Sequence, residues 1–170
     1  MVFAAAFGLA ACGTTGPSTT GSTGFFSSSA PKQGRTVQML VASTRSSEDG
    51  TASAREARYA SAAVSVPPGH EPGVIERPSF GSPNPRKHFA VVSQRPLDPD
   101  LLVQEVATRV SGRVGTSRDV LVFVHGYNVS YDDARFRLAQ IVADGGFTGV
   151  PVLFTWPSQS RILAYGADKE

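Results

Sequence analysis

Cysteine is nearly missing from this chain. Cys12 stands alone among 170 residues, so no intrachain disulfide framework exists and no cysteine and histidine cluster can be assembled around a metal. Neither a phosphate-binding loop nor a dinucleotide glycine fingerprint is present, so the expected cofactor complement is none. Charge of one sign is also lacking. The 16 basic and 14 acidic residues leave a formal charge of +2, and the Lys and Arg residues are scattered rather than gathered into a stripe, which argues against a nucleic-acid partner. No internal repeat is visible. Histidine is scarce, with His70, His88 and His125 and none beyond.

What is present begins with a short apolar run, Val2 to Ala11. It is too short to span a bilayer as a helix but has the size of the core of a secretory signal. The run closes on Leu9-Ala10-Ala11-Cys12-Gly13, which resembles the lipobox of bacterial lipoproteins. That resemblance implies that Cys12 is lipidated and anchors the chain to a membrane of the bacterial cell envelope, with the folded part in the periplasm or outside. The alternative is an incidental cysteine after an Ala-rich start. The basic stretch that usually opens such a signal is missing, so the natural start is expected upstream. From Gly13 to Gly34 the composition is mostly Gly, Ser, Thr and Pro. Such a segment buries too little apolar surface to offset its ordering entropy and reads as a flexible tether. Coil scaling over about 24 residues gives a stand-off of about 25 to 30 Å. The expected division is a signal over 1–12, a tether over 13–35 and a folded region over 36–170.

The folded region reads as alternating strands and helices. Strands are expected over Val37 to Thr44, over Ala60 to Val66 with one wetter face, and over His88 to Ser93, with a charged loop from Arg45 to Arg58. The Pro- and Gly-rich stretch from His70 to Arg86 reads as an ordered excursion made of turns. Asp98-Pro99 starts a helix whose Leu102, Val103, Val106, Ala107 and Val110 recur at helical spacing and should pack on the sheet. Ser130-Tyr131-Asp132-Asp133 is a capping box that opens a second helix, with Ala134, Leu138, Ile141 and Val142 as its apolar face and Gly145-Gly146 as its stop. Val150 to Trp156 is another apolar strand, and Ile162 to Lys169 starts a further helical pattern.

The chain is organised around Val120 to Asn128, Val-Leu-Val-Phe-Val-His-Gly-Tyr-Asn. Five consecutive apolar residues suit a strand covered on both faces of a parallel sheet. The strand is followed by a polar corner at its carboxyl end, where open α/β sheets bind ligands. His125, Gly126, Tyr127 and Asn128 are therefore the candidate site.

Three sequence words carry a resemblance: Val64-Ser65-Val66-Pro67-Pro68-Gly69-His70, Phe123-Val124-His125-Gly126-Tyr127-Asn128, and Phe154-Thr155-Trp156-Pro157-Ser158. In this order they resemble the bacterial α/β-hydrolase family of unknown function numbered 900, loosely esterase- or lipase-like, over about Thr36 to Glu170. The resemblance implies a partial α/β-hydrolase fold, a mostly parallel sheet with flanking helices, and an ester-type small-molecule substrate for the full-length protein. It also implies an oxyanion hole that uses the Tyr127 backbone amide, with Gly126 easing the turn and His125 and Asn128 bracing the loop.

That fold needs a nucleophile elbow, Gly-x-Ser-x-Gly or a close variant, followed by an acid and a histidine. The sequence holds no such elbow, and no histidine follows His125. Ser158 follows a strand at the right edge but lacks the paired glycines and a nameable base. His70 and His88 read as ordinary loop and edge residues. Asp132 and Asp133 read as helix-start carboxylates, and the Asn128-Val129-Ser130 sequon reads as coincidence. The expectation is thus the amino-terminal part of a membrane-tethered serine hydrolase, truncated before the elbow, with no nucleophile in this chain and inactive alone. The rival is a non-catalytic, lipid-anchored binding or scaffolding module.

Overall fold

The computed structural model describes residues 34–47 and 53–158, without the side chain of Thr116. The expected signal with Cys12, the tether up to residue 33 and the helical pattern from Ile162 to Lys169 lie outside the described residues. The elements follow in the order β1 (Arg35–Arg45), β2 (Ser53–Val66), β3 (Ala90–Leu97), α1 (Pro99–Ser111), a 3-10 turn (Gly115–Arg118), β4 (Val120–Val124), α2 (Tyr131–Asp144) and β5 (Val150–Thr155).

The strands form one sheet in the order β3-β2-β1-β5-β4. β1 pairs antiparallel with β2 and β2 with β3, while β5 lies parallel between β1 and β4. The sheet is therefore mixed, and the expectation of a mostly parallel one is corrected. Residues 46–52 between β1 and β2 are too few for a parallel crossover, which takes a dozen or more. The α/β class stands.

The two helices lie on opposite faces of the sheet. On one face α2 brings Ala134, Leu138 and Val142 against Met39, Val41, Val64 and Leu153. On the other, Leu102, Val106 and Val110 of α1 pack on Leu40, Val150 and Val152. The crossover through α1 runs from β3 toward β4, and that through α2 runs back from β4 to β5. Two crossovers of one hand that run in opposite directions use opposite faces, as the right-handed rule requires.

Local chemistry sets the element ends. Ser130 Oγ accepts from the Asp133 amide at the start of α2, the bond that the capping box predicts. At its end Gly146 takes φ 60°, its amide reaches the Ala143 carbonyl at 3.4 Å and the Phe147 amide reaches Val142 at 3.1 Å. That pair of bonds needs a left-handed residue, which glycine adopts without a Cβ penalty. Gly149 answers a close approach instead, because a Cβ there would lie 2.2 Å from the Asp119 carbonyl oxygen and 2.4 Å from the Phe147 ring.

Several expectations give way. β2 begins at Ser53, inside the expected charged loop. Its stretch from Ala60 to Val66 has no wetter face, because Arg109 of α1 donates to Ser61 Oγ at 3.0 Å and Ser65 Oγ reaches the Pro85 carbonyl at 3.5 Å. β3 starts and ends later than expected, at Ala90 and Leu97. Asp98 sits at the N-cap of α1, but its side chain makes no capping bond. Val103 of α1 and Ile141 of α2 point outward, since the residues facing the sheet on each helix lie four apart on the neighbouring row.

The largest correction concerns β4. It is not covered on both faces: among the described residues it pairs only with β5, and Val120, Val122 and Val124 are 42%, 59% and 55% exposed. α1 covers β1, β2 and β5 on that side and stops short of β4, leaving an apolar groove between Val120 and α1, lined by Leu102, Val103, Val106, Ala107 and Val110. No helix among the described residues is long and apolar enough to cross a membrane.

Candidate functional site

The carboxyl ends of β1, β5 and β4 meet at one edge of the sheet, with Ser43 opposite Thr155 and Val124 opposite Phe154. Arg45, Thr155 and His125 come together there. In β1 the residues 37, 39, 41, 43 and 45 share the α2 face by strand alternation, and all five are buried. That inward row ends on a guanidinium only 2% exposed.

Arg45 Nε donates to Thr155 Oγ1 at 3.0 Å, and its terminal nitrogen donates to the Val129 carbonyl at 2.8 Å. Thr155 Oγ1 lies 2.9 Å from His125 Nε2, and His125 Nδ1 lies 2.8 Å from the Gly126 carbonyl oxygen. Trp156 closes the cage. Its ring stacks on the imidazole at 5.4 Å between centroids, its indole nitrogen donates to the His125 carbonyl at 3.0 Å, and its backbone amide donates to Nε2 at 3.3 Å. His125 is 4% exposed and both ring nitrogens are occupied. Burial lowers its pKa from the ordinary 6.5 and the charge of Arg45 lowers it further, against the Gly126 bond that raises it. The ring is neutral at physiological pH and serves as a brace.

Beyond His125 the loop turns at Asn128, which at φ 61° is the one non-glycine residue with positive φ among the described residues. Asparagine tolerates this region better than most residues. The Asn128 amide donates to Ser158 Oγ at 2.7 Å. Gly126 is not the left-handed position, and a Cβ placed on it would meet nothing within 4 Å. The expected reason for that glycine is thereby corrected, since the turn it was to ease is made two residues later.

The Gly126 carbonyl points at the His125 ring. In a trans peptide the following N–H points the opposite way, so the Tyr127 amide is aimed away from the imidazole. Gly126 and Asn128 border a cleft of about 370 Å³ that also includes Phe123, His125, Arg77 and Asp133. Arg77 pairs with Asp133 and lies 5.3 Å over the Phe136 ring.

The other residues considered from sequence stand apart from this corner or support it. Ser158 is 1% exposed, with its oxygen holding the Asn128 amide, so it is a loop brace and not an accessible nucleophile. His70 lies between Glu76 and Asp144 at 3.0 and 2.8 Å, and His88 accepts from the Asn84 amide at 3.1 Å. Asp133 pairs with Arg77 and Asp132 with Arg135. Among the described residues no group of three His, Cys, Asp or Glu side chains could hold a metal ion. Arg45 and Thr155 were missed from sequence, although the inward phase of β1, continued two residues past Ser43, pointed to the first.

Residues 103–170 match the model of a family described as an α/β hydrolase of unknown function (DUF900). The match begins within α1 and includes the two words around His125 and Trp156, while Val64 to His70 lies before it. No curated protein matches the chain, and no solved structure matches it.

Proposed function

We propose that this chain carries the oxyanion half of a serine-hydrolase site that cleaves carboxylic esters through an acyl-enzyme, with the nucleophile and its histidine supplied from outside the described residues. Attack on an ester carbonyl builds negative charge on its oxygen, and a preorganised amide at that place contributes about 3 to 4 kcal/mol to the transition state. The observation that carries the reading is the bond from His125 Nδ1 to the Gly126 carbonyl at 2.8 Å, which in a trans peptide turns the Tyr127 amide away from the imidazole. The family match over residues 103–170 supports the hydrolase class. The Leu9 to Gly13 word supports lipidation of Cys12 and tethering to a bacterial envelope membrane.

A second reading, an anchored binding or scaffolding module, draws on a different observation. Ser158 Oγ and both nitrogens of His125 are committed to internal bonds, so the described corner holds no nucleophile and base pair.

The test uses the native protein recovered from the envelope of its own cells. Its intact mass is measured, and it is then treated with a fluorophosphonate probe and a short aryl ester. A lipid-modified protein larger than these residues, with one serine labelled and the ester cleaved, is the expected result. Folded protein with neither label nor turnover returns the binding module, and a native mass without lipid removes the anchor. Residues 36–170 alone should cleave no ester.

A further inference from the structure

β4 leaves one face of the sheet edge bare. Its Leu121 and Phe123 pack into the core on the α2 side, whereas Val120, Val122 and Val124 point to the α1 side and are exposed. Beside them lies a groove of about 480 Å³, lined by α1, Val120 and Arg118. An apolar row of this kind on an edge strand invites association unless something covers it. We propose that residues 162–170 of the same chain cover it, packed as a helix beside α1 and antiparallel to β4.

Spacing fixes the slot. α1 packs on Leu40 of β1, with Tyr59 of β2 and Val152 of β5 on either side. β4 lies two strands on from β1, which is about 10 Å at the usual strand spacing, and a second helix packs about 8 to 10 Å from a first. The chain is delivered to that place. Ser158 follows β5, and its oxygen holds the Asn128 amide just past the end of β4. Residues 159–161 reach about 10 Å when extended, enough to climb from the sheet edge onto its face. A helix over 162–170 is then about 13 Å long, and Val120 to Val124 spans about 13 Å of strand.

The sequence of the segment fits this direction. At helical spacing Ile162, Leu163, Gly166, Ala167 and Glu170 share one side, with Ala164 and Asp168 opposite. The small Gly166 and Ala167 let the middle of the helix approach Val122. Glu170 comes to the end where Arg118 stands, which lines the groove and pairs with no carboxylate among the described residues. Because the segment begins just past Ser158, its docking also steadies the bond that holds Asn128. None of this depends on the oxyanion reading.

The test uses the full chain with Cys12→Ser and two cysteine pairs. Val122→Cys with Ala167→Cys should close an intramolecular disulfide under mild oxidation at least tenfold faster than Val122→Cys with Ala164→Cys, at a rate independent of protein concentration. Arg118→Glu should slow that closure severalfold, and Glu170→Arg in the same chain should restore it. Without the cysteine pairs, Val122→Asp should speed amide exchange over 162–170 and at Asn128 tenfold or more, while β1 and β2 keep their protection. Equal rates for the two pairs overturn the proposal, as does a concentration-dependent link between chains, which would give the groove to a second copy. A charge swap that restores nothing overturns the antiparallel packing. A folded Val122→Asp chain with unchanged exchange over 162–170 is equally fatal, and should that variant not fold, the cysteine pairs decide alone.

Discussion

His70 and His125 are both largely buried, with both ring nitrogens engaged, and their pKa values move in opposite directions. His70, in the excursion between β2 and β3, has Glu76 Oε2 at 3.0 Å on one side and Asp144 Oδ1 of α2 at 2.8 Å on the other. Burial works to lower its pKa, but the hydrogen bonds and charges of the two carboxylates outweigh burial and raise it above 6.5. The carboxylates are themselves held by amides, Glu71 to Glu76 at 2.9 Å and Gly73 to Asp144 at 2.9 Å. His125 has no carboxylate in its cage. Its partners are a hydroxyl, a carbonyl and the Trp156 amide, and burial, helped by the nearby charge of Arg45, lowers its pKa. One fold thus uses imidazole twice, between two carboxylates that join a loop to a helix and as a brace inside the corner after β4.

The comparison breaks most severely at Arg45. Arg45→Met removes one buried and one partly buried charge-assisted bond and leaves the Val129 carbonyl without that donor, so urea unfolding should show a loss of about 3 kcal/mol. The pKa of His125 should move back toward 6.5 in the same variant, with that of His70 unchanged. Thr155→Val should cost about 1 to 3 kcal/mol, because it deprives one buried donor and one buried acceptor of their partner.

Next in size is the pH dependence, where the two rings have opposite signs. The folded pKa of His70 is raised, so its contribution is full below its unfolded value near 6.5 and is lost as pH rises through the folded value. The folded pKa of His125 is lowered, so its contribution is full above 6.5 and is lost as pH falls from there toward the folded value. Hydrogen exchange should show the 70–77 segment loosening as pH rises past 6.5 through the folded value. Denaturation midpoints should show the corner weakening below pH 6.5, and His70→Asn should abolish the first trend alone.

Asp144→Asn sharpens the contrast at lower cost. One partly exposed pair is lost, with a destabilisation of about 0.5 to 1 kcal/mol, and the pKa of His70 should fall while that of His125 stays. The smallest effect is expected at Gly126, where φ is not positive and a Cβ meets nothing within 4 Å. Gly126→Ala should change stability by less than about 0.5 kcal/mol. A loss several times larger would mean that the glycine is needed for the turn after all.

How much was legible follows from the range of the interactions. α2 was read from its own residues, because the bond of Ser130 to Asp133 and the glycine stop at 145 and 146 are local. The position of the corner after β4 followed from one apolar run and a strand end. The bonds that hold the corner are a different matter. Arg45 and Thr155 are 110 residues apart in sequence, and Asn128 and Ser158 are 30 apart, so no local pattern announces them. The exposed valines of β4 could not be read either. Coverage of a strand depends on where a neighbouring helix stops, and α1 stops over β5. The mixed sheet was hidden for a similar reason, since the antiparallel register of β1 with β2, from Arg35 with Val66 to Ser43 with Arg58, is a pairing that no local pattern encodes.

The most direct measurement is the titration of the three imidazoles by nitrogen-15 and carbon-bound proton resonances of the full chain, with each ring assigned by single Asn substitutions. The expected result is a midpoint above 6.5 for His70 and below 6.5 for His125, with Nδ1 of His125 carrying the proton throughout the neutral range. A neutral ring of His125 protonated on Nε2, or a ring still charged above neutral pH, would contradict the account, because the corner is braced by a neutral imidazole whose Nδ1 donates to the Gly126 carbonyl.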